Sequence, residues 1–244
     1  TFGDPGSDGQ GRTSAAGGAS AGRHEAEQRR EQLPRMPDAA WQAELLAADG
    51  SHFRVHFRGA VQGEVKWSLS GAHNVANALA AIAAARHAGV PAATACAAFA
   101  DFRNVKRRLE LRGTVRGVDV YDDFAHHPTA IRLTLEGLRA RVGKKRIVAV
   151  LEARSNTMKL GVHREELAQS LASADRVIFY QSPDLPWRLD DVAALMNGRA
   201  RVIDSVPGIV DTLAGELRGD DQVLIMSNGG FDNIHARLLA ALGA

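Results

Sequence analysis

Cysteine is almost missing from this chain. The 244 residues contain one, Cys96. A single thiol cannot close an internal disulfide, so a reducing compartment, the cytoplasm, is expected. Cys96 lies in an Ala-rich apolar stretch, which suits a small core residue better than a nucleophile. No apolar run approaches the roughly 18 residues that a membrane span requires, and no secretory signal pattern occurs. An excess of one charge is missing too: 30 basic residues against 28 acidic ones leave +2. That balance predicts neither a nucleic-acid partner nor a membrane surface. Several signatures are also absent. There is no Gly-x-x-x-x-Gly-Lys-[Ser/Thr] phosphate loop, no Gly-x-Gly-x-x-Gly behind a strand, and no Gly-x-Ser-x-Gly elbow. A dinucleotide oxidoreductase and a serine hydrolase are therefore poorly supported.

What remains is ordinary globular material, 45% hydrophobic and 24% charged. Its length predicts one large or two modest domains. Residues 4–37 stand apart. They are small and polar and end in the charged run 23–30, so they cannot bury enough apolar surface to offset their ordering entropy. Residues 1–40 are read as a flexible insertion or linker.

From Trp41 the pattern changes. Residues 43–46 and 53–57 alternate apolar and polar around Asp49-Gly50, and 64–69 reads as a third strand. Val75, Leu79 and Ile82 recur at helical spacing and predict a helix over 72–87, ended by Gly89 and Pro91. A second helix is predicted over 92–102.

Beyond Arg112 strand and helix alternate. Strands are predicted at 114–121, 146–151, 176–180, 200–204 and 222–226. Helices are predicted at 128–142, 163–173, 189–197, 207–217 and 233–242. The unbroken apolar runs 147–151 and 223–226 suit strands buried on both faces. The expected fold class is α/β, a mostly parallel sheet with helices on both sides. In such sheets ligands bind beyond the carboxyl ends of the strands. The unusual polar segments fall there: 122–128, 152–159, 181–183 and 227–231.

Each segment permits a chemical and a plainer reading. Asn74 and Asn77, three apart on a helix beside His73, can present two amides to a purine edge, although Asn is also a common cap. Lys106-Arg107-Arg108 could clamp a phosphate, but on its residues alone a solvated basic linker is favoured. Asp122-Asp123-Phe124-Ala125-His126-His127-Pro128 could ligate a divalent metal. It could equally supply hydrogen bonds to a ribose or to hydrated magnesium as it enters a helix. Arg154, Ser155, Asn156 and Lys159 make a natural grip for a carboxylate-bearing substrate. Ser227-Asn228-Gly229-Gly230 lets the backbone approach a ligand closely, or makes a tight turn.

Three of these segments, in order, resemble the Mur ligase family. Residues 69–81 look like the end of its central ATP-binding domain. Arg108-Leu109-Glu110 looks like the interdomain Arg-x-Glu, and 122–128 like the opening of its C-terminal domain. The resemblance implies that 41–108 is the tail of the central domain and 109–244 a Rossmann-like C-terminal domain. Within the family, residues 152–161 and 226–231 are most similar to the branch that joins L-alanyl-γ-D-glutamyl-meso-diaminopimelate to UDP-N-acetylmuramate with ATP and magnesium. It further implies that His73, Asn74 and Asn77 meet the adenine end of ATP, Arg108 the phosphates and Asp123 the ribose. His126, His127, Arg154, Ser155, Asn156, Lys159 and Asn228 would hold the incoming peptide. No metal ligand is expected in this chain, since the family's phosphate loop and acidic ligands lie upstream of the matching part. For the same reason these 244 residues are not expected to ligate alone. Competing readings are another Mur or folylpolyglutamate-synthase-like ligase, a metal-dependent phosphoesterase using Asp123, His126 and His127, and a non-catalytic binding module.

Overall fold

The structure, a computed structural model, describes residues 40–244. The expected linker over 1–40 thus lies almost wholly outside the described residues.

Strands β1 (Trp41–Leu45), β2 (His52–Phe57) and β3 (Ala60–Lys66) form an antiparallel sheet in chain order. The period of two in β2 buries Phe53 and Val55 and turns Arg54 outward, where it bridges Glu44 and Glu64. Helices α1 (Ala72–His87) and α2 (Ala92–Ala98) cover the apolar face. Val75, Ala78, Ile82 and Cys96 complete that core, so Cys96 is a packing residue. Two predicted boundaries shift. The third strand starts and stops earlier than 64–69, and the second helix tightens into a 3-10 turn over Phe99–Asp101.

The second sheet has six strands in the order β4-β5-β9-β6-β7-β8: β4 (Glu110–Val115), β5 (Val118–Asp123), β6 (Ile147–Glu152), β7 (Arg176–Tyr180), β8 (Ala200–Ile203) and β9 (Gln222–Met226). All neighbours are parallel except β4 and β5. The single strand predicted over 114–121 is therefore corrected to a hairpin. Arg116 and Gly117 at its turn have φ of 53° and 78°, the twist that a two-residue hairpin requires. Arg-Gly is a weaker turn signal than Asn-Gly, and so the break was concealed.

The crossovers decide where the helices lie. The chain steps from β5 to β6, β7 and β8 in one direction and then returns to β9, between β5 and β6. Right-handed connections put the outbound helices on one face and the returning helix on the other. Accordingly α3 (Pro128–Val142), α5 (Arg164–Ser170) and α6 (Asp190–Ala194) share one core with Leu151, Phe179 and Met226. Helices α7 (Val206–Glu216) and α8 (Ile234–Gly243) share the other with Val150, Ile178 and Ile225. The segment read as a loop after β6 contains one helical turn, α4 (Asn156–Lys159), started by Ser155 Oγ accepting from Met158 N.

Helix α3 also meets the segments beside the three-stranded sheet and at the start of α1. Gly137 lies so close to Gly71 that a Cβ there would stand 3.1 Å from the Gly71 Cα. Arg141 donates to the Ser68 carbonyl at 2.6 Å and pairs with Asp49 at 3.5 Å.

Candidate functional site

Because β9 sits between β5 and β6, the loops after these three strands meet at one rim. Register aligns Asp123 with Met226 and Met226 with Leu151. Residues level in parallel strands point to the same face. Asp123 thus faces the α3 side with Leu151 and Met226, while Asp122 faces the α8 side with Ile225 and Val150.

These adjacent carboxylates, both 3% exposed, acquire different jobs. Asp123 accepts from Leu109 N and Ala125 N, each at 2.7 Å, and from the Thr134 hydroxyl at 3.4 Å. Burial pushes its pKa up, against the pull of those two N–H groups and of Arg108. The ribose role expected for Asp123 meets a side chain with both oxygens engaged inside the fold. Asp122 instead pairs with two arginines, Arg107 at 3.3 Å and Arg112 at 3.2 Å, and has His235 Nε2 at 3.4 Å. Burial, the first cause, lowers the His235 pKa. Asp122 opposes this, but Arg112 and Arg107 already answer its charge.

Arg107 also donates to the Ser227 carbonyl and accepts from Phe124 N at 2.9 Å through its own carbonyl. It therefore ties the linker to both β5 and β9. Its neighbour Arg108 stays exposed, its guanidinium 5.8 Å from the Phe124 ring centre and without an ion pair among the described residues. Of the basic run, the structure thus turns one arginine inward as an anchor and leaves the next outward.

The rim continues through Glu152, which is 7% exposed and accepts from the Ser227 hydroxyl. Gly229 N donates to the same Ser227 oxygen at 2.8 Å. Arg154 is exposed, its N–H donates to the Glu152 carbonyl at 3.0 Å, and its side chain makes no hydrogen bond or ion pair among the described residues, its end lying against Gly229. Asn228 Oδ1 is buried without a partner. Lys159 stands 3.9 Å from Asp184. Asn156 is exposed at the start of α4, and Ser155 caps that turn. His126 Nδ1 lies 2.8 Å from the Phe124 carbonyl. His127 caps α3 by accepting from Thr129 N, and its ring meets His163 edge-on at 4.2 Å. The loop 182–188 walls one side, since Trp187 Nε1 donates to the Met158 carbonyl at 2.9 Å. Beside it lies an open groove of about 440 Å³ lined by Gln181, Pro183, Trp187, Arg188 and Asp204.

The start of α1 is the second polar place. Asn74 donates its amide N–H to the Ser70 carbonyl at 2.8 Å and caps no helix N–H, since the N-cap is Gly71, while Asn77 is exposed. Ser70 Oγ and His73 Nδ1 are both buried and unpartnered. An orphaned buried polar atom costs about 1–3 kcal/mol, so this pair marks a place where a polar ligand would be stabilised. Burial, then Arg108, lowers the His73 pKa, and Glu136 opposes them.

Among the described residues no three His, Cys, Asp or Glu side chains come together to hold a metal ion. Asp123 points inward and His126 and His127 serve the backbone, so the phosphoesterase reading has no donor set. No helix among the described residues is long and apolar enough to cross a membrane. Reasoning from sequence placed Arg107, Asp122, Glu152, Ser227 and Gly229 inside its candidate segments but chose none of them as a site residue. The alternation of β5 carried part of the signal, because adjacent Asp residues in a two-sided strand must face opposite cores.

Residues 107–229 match the family described as Mur ligase, glutamate ligase domain. The chain is 50% identical over 203 residues to the UDP-N-acetylmuramate–L-alanyl-γ-D-glutamyl-meso-2,6-diaminoheptandioate ligase of Escherichia coli, covering 83% of this chain and 44% of that protein. It is 47% identical to the ligase of the same description from Haemophilus influenzae, over 84% of this chain and 46% of that one. A UDP-N-acetylmuramate–L-alanine ligase of a Synechococcus strain is 32% identical over 85% of this chain and 42% of its own. The crystal structure of a murein peptide ligase from Psychrobacter arcticus superposes with a TM-score of 0.62 at 46% identity, covering 84% of this chain and 45% of that chain. The chain thus spans less than half the length of the curated relatives it matches.

Proposed function

The chain belongs to the Mur ligase family, and from that premise we propose that its full-length protein joins L-alanyl-γ-D-glutamyl-meso-diaminopimelate to UDP-N-acetylmuramate at the expense of ATP, in the cytoplasm. The observation that carries this reading is the 50% identity to a ligase of that tripeptide, against 32% to a ligase of L-alanine. In this reading residues 41–108 are the tail of the ATP-binding domain and 109–244 the C-terminal domain.

The rim of β5, β6 and β9 holds the incoming peptide. Arg154 and Lys159 attract its carboxylates, and Asn228 Oδ1 takes an N–H donor. His126, His127, Ser155 and Asn156 line the approach. The start of α1 takes the adenine side of ATP, where Ser70 Oγ and His73 Nδ1 await partners and Asn77 stands open. Arg108 points toward the phosphates. Asp123 serves it indirectly by clasping Leu109 N and so fixing the linker. ATP would supply the activation of the muramate carboxylate as an acyl phosphate, whose carbonyl the peptide amine attacks to form the amide as the acyl–oxygen bond breaks and inorganic phosphate leaves. In this reading the magnesium ligands lie in the part of the family's length that this chain does not span, as the family resemblance implies. The contribution of this half is to bind, orient and exclude water.

Phosphate release by the full-length protein, with UDP-N-acetylmuramate and either the tripeptide or L-alanine, tests the proposal. A kcat/KM at least a hundredfold higher for the tripeptide is expected. A preference for L-alanine would move the protein to the other branch.

A further inference from the structure

Gly229 follows the unpartnered Asn228, and the end of the Arg154 side chain lies across it. A Cβ built on Gly229 would stand 2.8 Å from Arg154 Cζ and 3.0 Å from Cδ, with Nη1 closer still. No other group comes nearer. The backbone of Gly229 does not require glycine, because its φ lies outside the left-handed region. Its N–H is also satisfied, by Ser227 Oγ at 2.8 Å. Neither conformation nor hydrogen bonding thus explains the absence of a side chain. A Cβ there would meet the end of Arg154 and push the guanidinium aside without straining the backbone.

We infer that Gly229 is a positioning residue: its bare Cα face is the seat that holds the Arg154 guanidinium over the rim, next in the chain to Asn228. Arg154 has no carboxylate partner among the described residues, so no ion pair draws its long side chain away from this seat. A guanidinium held flat presents its paired N–H donors in one plane, the geometry that binds a carboxylate through two hydrogen bonds. A free arginine must first lose its rotamer freedom to do the same. The seat thus favours a ligand bringing a carboxylate to Arg154 and an N–H donor to Asn228, as an amino-acid or peptide end does. This step rests on the peptide reading of the rim, but the seat itself does not.

Two measurements separate them, on the 244-residue chain, its Gly229→Ala and Arg154→Ala variants and the double variant. The first follows the Arg154 Nε–Hε resonance in nitrogen-labelled, ligand-free protein, assigned by its loss in Arg154→Ala. A distinct resonance that collapses to the position of freely solvated arginines in Gly229→Ala is expected, at a thermal midpoint no lower than wild type. An unchanged resonance, or one already averaged in the wild type, overturns the inference. The second is calorimetric titration with the tripeptide. Each single variant should weaken binding about tenfold, and the double variant no further than Arg154→Ala alone. Independent, multiplying losses would show that Gly229 acts otherwise and would also overturn it. If Arg154→Ala binds the tripeptide as well as wild type does, the peptide reading of Arg154 fails while the resonance still decides the seat.

Discussion

At the scale of single residues, His73 and His235 share a condition despite lying in different cores. Burial is the first cause that lowers each pKa below the usual 6.5, and nearby arginines add to it. A histidine held neutral in the fold takes its proton later than the same residue in the unfolded chain. As pH falls below about 6.5 the unfolded state therefore binds more protons, and stability is lost. Above that pH the contribution is fully present. Thermal midpoints between pH 7.5 and 5 should decline for wild type and decline less for a His73→Gln/His235→Gln variant. Equal slopes would mean that neither histidine is held neutral. The same scale separates Asp122 from Asp123, since one position along a strand exchanges two arginines and a histidine for backbone N–H groups.

At the scale of elements, the joint between the linker and β5 depends on Asp123 and Arg107. Arg107 and Leu109 have φ of 61° and 48°, a conformation that costs about 1–3 kcal/mol for such residues. The hydrogen bond from Leu109 N to Asp123 holds the second of them in place. Replacement of Asp123 by Ala leaves two N–H groups without their acceptor. A loss of about 2–3 kcal/mol is expected, and about half of that for Asn, which keeps one oxygen. Urea unfolding monitored by circular dichroism reads both, and an alanine variant as stable as wild type would remove the clasp. The hairpin before this joint shows why elements were harder to read than their order. Val115 and Val118 flank an Arg-Gly turn inside one apolar-polar alternation, so a single strand and a pair share nearly the same pattern. The unbroken runs of β6 and β9 had no such ambiguity, and both strands fall within a residue of expectation.

At the scale of the molecule, alternating strands and helices made the α/β class and its carboxyl-end rim legible. The rim loops were legible because polar residues crowd at the ends of apolar runs. The insertion of β9 between β5 and β6 was not, because strand order is set by packing between distant segments. That insertion brings 227–230 beside 152–154 and makes Ser227, Glu152, Gly229 and Arg154 one group. The division of Arg107 from Arg108 was hidden for the same reason: the inward partners, Asp122 and Ser227, lie 15 and 120 residues away.

The central claim is that this rim binds the acceptor peptide. Titration of the nitrogen-labelled 244-residue chain with the tripeptide, followed by backbone amide shifts, tests it most directly. Saturable shifts should cluster at residues 126–127, 154–159 and 228–230. No binding at millimolar peptide, or shifts confined to the groove of Pro183, Arg188 and Asp204, would contradict the claim.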